Sequence, residues 1–194
     1  MKRWPIDGGA IWCGDAVELI RELKTDSVAC TVMDPPDYQE LLFDVLRVTD
    51  GPVIWLGRVG QSFADLRKFD RAPDRVLVWV PDEMPPPNGV TMVYRWHPIY
   101  VWQMPQVTSP KMPADVLRHP CATERFDHPG VKPVELFEDL LTLAPDGPVL
   151  DPFMGTGSSL VAARRLGRPV IGCDHEEHWC EVARGRLECH AATV

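Results

Sequence analysis

No stretch of the 194-residue chain offers the ~18 consecutive apolar residues of a membrane-spanning helix. The first residues, Met-Lys-Arg-Trp-Pro-Ile-Asp-Gly-Gly, lack the hydrophobic region of a secretion signal. Both absences lead us to expect a cytoplasmic protein with no membrane partner. No Cys-x-x-Cys pair occurs among the six cysteines, which are therefore expected to be reduced, buried thiols. The tightest metal-like grouping, Cys173, His175, His178, Cys180, Cys189 and His190, follows no zinc-ligand spacing, and no metal is expected. Basic charge is also short, with 20 Lys and Arg against 28 Asp and Glu and a formal net charge of -8, which argues against nonspecific coating of nucleic acid. There is no internal repeat and no low-complexity tail. With 45% hydrophobic and 25% charged residues, neither a disordered chain nor a coiled coil is expected. At ~150 residues per domain the length suits one domain, spanning residues 1–194.

What the sequence does hold is alternation. Ala10 to Cys13 is a short apolar run, and Ala16 to Leu23 places Val17, Leu19, Ile20 and Leu23 on one helical stripe. Ser27 to Met33 is an almost unbroken apolar run between Asp26 and Asp34, as in a strand buried on both faces. A helix over 38–48, a strand over 52–56, a helix over 61–69 and a strand over 75–80 follow. After residue 133 the pattern resumes with helix 134–143, strand 148–150, helix 158–166, strand 169–173 and helix 176–187. With a strand at 99–104 the total is seven. Strands and helices in strict alternation imply an α/β fold, a mostly parallel sheet with helices on both faces. Sites in that architecture lie at the carboxyl ends of strands.

The middle of the chain breaks the pattern. Of the 20 prolines, 11 lie between Pro81 and Pro133, so a Pro-rich loop insert is expected at about 81–131. From Asn88 to Pro133 there are five basic residues (Arg95, Lys111, Arg118, Arg125, Lys132) and three acidic ones (Asp115, Glu124, Asp127). This least acidic stretch is the candidate to face a phosphate backbone, the other reading being an ordinary surface loop.

Two motifs carry chemistry. In Val149-Leu-Asp151-Pro-Phe153-Met-Gly155-Thr156-Gly157-Ser-Ser-Leu160, a strand ends in a carboxylate, two glycines permit a tight turn, and a helix begins with its N–H groups facing back. Asp174, at the end of the next strand, is placed to accept both hydroxyls of a ribose. The third glycine of the dinucleotide fingerprint is missing, which weakens a nicotinamide reading. In Asp34-Pro35-Pro36-Asp37-Tyr38, two prolines stiffen the backbone and remove two donors, leaving carbonyls and a carboxylate as acceptors at a strand's end. That corner suits a group that donates hydrogen bonds, such as an amine.

In these residues the chain resembles the DNA amino-methyltransferases that make N6-methyladenine or N4-methylcytosine, in the permuted order where the catalytic motif precedes the cofactor motif. Gly14-Asp15-Ala16, Asp34-Pro35-Pro36, His128-Pro-Gly-Val-Lys132-Pro133, Asp151-Pro-Phe-Met-Gly-Thr-Gly157 and Ile171-Gly-Cys-Asp174 occur in that family's order, over about residues 10–188. The resemblance implies a Rossmann-like, permuted methyltransferase fold. It implies S-adenosyl-L-methionine as cofactor, with Asp174 on the ribose, Asp15 and Ala16 near the adenine, Phe153 to Gly157 around the methionine part beside Asp151, and Lys132 near its carboxylate. It implies DNA as the partner and restriction–modification as the setting. Asp34 and the Pro35 carbonyl would accept the two N–H bonds of an exocyclic amine, and methyl transfer would be an in-line displacement on an extruded base.

The chain departs from the family in three places. Gly130 stands where a hydroxyl residue is usual. Asp37 takes the position of the aromatic that stacks on the extruded base, with Tyr38 one place later. Such stacking is worth ~1–3 kcal/mol, so either Tyr38, or Trp55, Tyr94 or Trp96, takes over, or the substrate differs; for the tryptophans core packing is the alternative. The insert leaves no room for a separate target-recognition domain, so selectivity would be loose or would come from a partner or a second copy of the chain. Two other readings stay open: a catalytically weak cofactor-binding subunit, and methyl transfer to RNA or a protein amide.

Overall fold

Short runs of β-branched and aromatic residues make the sheet, and helices with one apolar stripe cover it. The computed structural model describes residues 1–35, 39–58, 62–81, 95–104, 114–122, 126 and 130–191. Among these the strands are β1 (Lys2–Ile6), β2 (Gly9–Cys13), β3 (Cys30–Met33), β4 (Val53–Leu56), β5 (Arg75–Val80), β6 (His97–Trp102), β7 (Val116–Arg118), β8 (Val149–Asp151) and β9 (Val170–Asp174). The helices are α1 (Ala16–Glu22), α2 (Leu42–Val48), α3 (Ser62–Lys68), α4 (Val134–Leu141), α5 (Ser158–Arg165) and α6 (Glu177–Ala191). The strands join in one sheet of order β1-β2-β9-β8-β3-β4-β6-β5-β7.

The α/β class and the mostly parallel sheet stand, with parallel pairing in β2–β9, β9–β8, β8–β3, β3–β4 and β5–β7. The expected count of seven strands is corrected to nine. Strand β1 lies antiparallel on β2 at the sheet edge. Its Lys2, Arg3 and Pro5 gave it no apolar signal, because an edge strand needs charge and tolerates proline. The Asp7-Gly8 step that closes the hairpin, with Gly8 at φ +65°, is a turn signal the sequence reading passed over. Strand β7 is three residues inside the Pro-rich insert, most of which lies outside the described residues. Strand β6 runs antiparallel to both of its neighbours, β4 and β5.

Alternate residues of the central strands feed two cores, as the twofold strand period requires. Ile54 and Leu56 enter one with Leu136, Leu140, Leu160 and Ala183 from α4, α5 and α6. Val53 and Trp55 enter the other with Leu19, Ile20, Val45 and Leu46 from α1 and α2. Helices therefore cover both faces. Trp55 is 3% exposed and meets Phe69 edge-on with ring centroids 4.9 Å apart, so it is a core residue rather than a stacking surface for a base. The thiols divide: Cys30, Cys173 and Cys180 are buried as expected, Cys13 is half-buried, and Cys121 and Cys189 are exposed, since each of these two sits where no core is built.

The neighbours β8 and β3 feed crossovers of opposite direction, β8 through α5 to β9 and β3 through α2 to β4. That divergence opens a crevice at their carboxyl ends, the position where open α/β sheets take ligands.

Candidate active site

Strands β2, β9, β8 and β3 are consecutive in the sheet and parallel, so Gly14-Asp15, Asp174-His175, Asp151-Pro152 and Asp34-Pro35 leave the same edge. They line one cavity of about 970 Å³. Of the sequence-predicted residues, Asp34, Pro35, Asp15, Ala16, Lys132, Asp151, Phe153, Gly155, Thr156 and Asp174 all line it. The early proline corner and the late glycine bend thus meet across the crevice. Pro36, Asp37, Tyr38 and Tyr94 lie outside the described residues.

Among the described residues Gly157 does not line the cavity, and neither do the stacking candidates Trp55 and Trp96. Gly157 sits at φ +79° as the start of α5, and a Cβ there would come within 2.9 Å of Ala183 Cβ. Its glycine answers to helix packing and a left-handed backbone, not to close approach of a ligand. Gly155, at φ +50°, does face the cavity and donates its N–H to Asp174 Oδ2 at 3.1 Å.

The carboxylates are set by local bonds. Asp174 also accepts from the Glu176 N–H through Oδ1 at 2.9 Å, which fixes it at the end of β9. Asp15 caps α1 by accepting from the Val17 N–H at 2.6 Å. Asp151 accepts from the Phe153 N–H at 2.9 Å and from the Ser159 hydroxyl. Burial pushes the Asp151 carboxyl up to about 7, with Asp34 and Asp174 adding in the same direction and the two hydrogen bonds opposing. Asp34 is ion-paired with Lys132, whose ammonium also donates to the Gly130 carbonyl at 3.1 Å. Lys132 therefore stands beside the amine-acceptor corner. Gly130, where a hydroxyl residue is usual in the family, contributes that backbone oxygen. Burial, then the Lys132 charge, holds His97 on β6 down to about 4, with Asp34 opposing.

Sequence reading missed several members. Phe137 lines the cavity from α4 with no motif to announce it, and Ser159, although inside the glycine motif, was given no role there. Arg58, just beyond β4, lines it too and could have been found from its place after a strand's carboxyl end. Arg186, on α6, donates to the Thr156 carbonyl at 2.8 Å, thirty positions away in the chain. No group of three or more His, Cys, Asp or Glu residues among the described ones is placed to hold a metal ion.

The cavity fits a nucleoside joined to an amino acid. Its volume lies at the upper end of the ~300–1,000 Å³ of small-molecule sites. Even with the Asp151 carboxyl largely protonated below pH 7, Asp15, Asp34 and Asp174 outnumber Lys132 and Arg58 around it, which suits a ligand bearing a cationic centre. Such a chamber can hold a donor and an amine acceptor side by side.

A profile described as DNA methylase, of the N6/N4 methyltransferase type, matches residues 18–185. The chain is 35% identical over 100 residues, 50% of its length, to type II methyltransferase M.ScaI of Streptomyces caespitosus. It is 36% identical over 131 residues, 66% of its length, to type II methyltransferase M.SfiI of Streptomyces fimbriatus. The matched stretches span only 31% and 25% of those proteins. In fold the chain is similar to the M1.HpyAVI–SAM complex, with a TM-score of 0.73 and 22% identity over 91% of this chain and 98% of that one. It is likewise similar to the PvuII cytosine-N4-specific DNA methyltransferase, with a TM-score of 0.74 and 15% identity over 92% and 86% of the two chains.

Proposed function

The chain belongs to the DNA methylase family, and from that premise we propose that it methylates the exocyclic amino group of adenine or cytosine in DNA, using S-adenosyl-L-methionine. The observation that carries the proposal is the meeting of Asp34 and the Phe153–Thr156 bend in one chamber, with Asp174 beside them.

Asp174 would hold the ribose, its place fixed by the Gly155 and Glu176 N–H groups. Asp15 and Ala16 would border the adenine, and Phe153 to Thr156 the methionine part. When bound, S-adenosyl-L-methionine supplies an electrophilic methyl carbon on a sulfonium sulfur. The residues of the chain have the other half of the task. An exocyclic amine conjugated to a ring is a poor nucleophile. Asp34 and the Pro35 carbonyl would accept its two N–H bonds and turn the nitrogen lone pair toward the donor side, so that catalysis is mainly positioning and electrostatics. Asp34 would also take the proton that the methylated nitrogen sheds. Lys132 would leave Asp34 for the amine to engage it. Because the amine of a paired base is inside the duplex, the base must be extruded or presented single-stranded.

The test is incubation with labelled S-adenosyl-L-methionine and unmethylated DNA, single- and double-stranded, followed by base analysis. Label in N6-methyladenine or N4-methylcytosine is expected, and Asp34→Ala should lower it by roughly 100-fold or more while cofactor binding survives. Absence of label in every base, with the wild type folded, overturns the proposal. The Lys132–Asp34 pair favours a second reading, a cofactor-binding subunit whose acceptor stays engaged. That reading predicts calorimetric binding of the cofactor without turnover.

A further inference from the structure

Arg186 grips the glycine bend without lining the cavity. The residue is 8% exposed, and its Nη1 donates to the Thr156 carbonyl (2.8 Å), Thr156 Oγ1 (3.2 Å) and Ser158 Oγ (3.2 Å). Thr156 and Ser158 both line the cavity. Between them stands Gly157, left-handed and opening α5 without a side-chain cap. A bend with positive φ at both Gly155 and Gly157 has more backbone freedom than ordinary residues would allow, and bonds to both flanks of Gly157 select one conformation. The guanidinium also lies over the Phe126 ring, 4.8 Å from its centroid, and Phe126 belongs to the Pro-rich insert. A single planar group that donates to the bend and stacks on an aromatic is something Arg provides and Lys does not. Burying a charge is costly, and a site needed only for packing would be better served by an apolar residue, as at the neighbouring Leu187.

We propose that Arg186 is a positioning residue that sets the shape of the cofactor bend and ties it, through Phe126, to the insert. The identity of the ligand rests on the function proposed above, but the grip on the bend does not.

The test uses the full chain with Arg186→Lys and Phe126→Ala, and reads two quantities. The first is amide hydrogen exchange of residues 154–158 without ligand, compared with β8 and β9. The second is the calorimetric Kd for S-adenosylhomocysteine. In Arg186→Lys the bend should exchange about tenfold faster while the strands keep their protection, and the Kd should rise about tenfold. Phe126→Ala should raise the Kd about threefold, and the double variant should be no weaker than Arg186→Lys alone, since both act through one contact. Wild-type exchange and Kd in Arg186→Lys, or exchange that rises equally over the whole sheet, would overturn the assignment. Should Arg186→Lys fail to fold, Phe126→Ala decides by itself, and an unchanged bend and Kd would refute the link. A wild type that protects the bend but binds no S-adenosylhomocysteine would refute the ligand, with exchange alone then judging the role of Arg186.

Discussion

Asp151 lines the chamber, His97 feels the charges of Lys132 and Asp34 at its edge, and the two titrate in opposite senses. For Asp151 the folded value, about 7, lies above the ordinary carboxylate value of 3.8. The native state therefore binds the proton more tightly than the unfolded chain. Its contribution to stability is complete below pH ~4 and is lost as pH rises to ~7, by on the order of 1–4 kcal/mol. Asparagine can keep both bonds, accepting from the Phe153 N–H and donating to the Ser159 oxygen. Urea unfolding of Asp151→Asn should show an advantage over wild type that grows from pH 4 to 7, and a pH-independent difference would mean the carboxyl is not held neutral. His97, lowered from 6.5 to about 4, acts the other way: stability is complete above pH ~6.5 and is lost as pH falls toward 4. The same titration on His97→Gln should lose that acid-side decline. At this scale the sequence spoke clearly wherever a site residue ends a strand, as Asp34 and Asp174 do. It was silent where the partner comes from another element, as for Ser159 on Asp151 and Arg186 on Thr156.

Two glycines, Gly157 in the bend and Gly185 in α6, separate what an element needs from what it tolerates. Gly185 lies inside α6 and a Cβ there would touch nothing within 4 Å. Gly185→Ala should therefore raise stability by about 0.5–1 kcal/mol through helix propensity, seen as a higher thermal midpoint. Gly157→Ala meets Ala183 at 2.9 Å and φ +79° as well, so it should lose about 1–3 kcal/mol and pull α5 from α6. Equal effects of the two substitutions would contradict this packing. Four strands were readable to within a residue, with 52–56, 75–80, 148–150 and 169–173 expected against β4, β5, β8 and β9, because continuous apolar runs are what a sheet covered on both faces demands, whereas β3 starts three residues after the expected 27 and β6 lies two residues before the expected 99–104. Helix α2 begins later than the expected residue 38, because a 3₁₀ turn at Gln39–Leu41 precedes it. Strands β1 and β7 escaped because an edge strand is written in charge and turn residues rather than in apolar periodicity.

The whole molecule poses an electrostatic problem, since a chain of net charge -8 is proposed to bind a polyanion. The alternation of elements made the α/β sheet legible, and the order of motifs made the meeting of the two corners an expectation. No motif, by contrast, says how a protein this acidic holds DNA. The insert is the least acidic stretch, with Arg95, Lys111, Arg118 and Arg125 in its sequence besides the Lys132 that faces Asp34, and Arg58 at the chamber brings those four cations to five. Each neutralised phosphate contributes ~0.9 to the slope of log affinity against log salt, so five contacts set a limit of about -4.5 on duplex DNA. The 148 residues outside Asn88–Pro133 carry the remaining acidic excess and should repel the duplex, which confines binding to one orientation with the chamber toward it. Fluorescence anisotropy of a labelled duplex between 50 and 200 mM KCl measures the slope directly. A value between about -2 and -4.5, moved by about 1 toward zero in Arg118→Gln or Arg125→Gln, is the expected result. A slope steeper than about -5, or one that ignores both substitutions, would place the phosphate-binding surface outside the insert and detach the insert from the reaction.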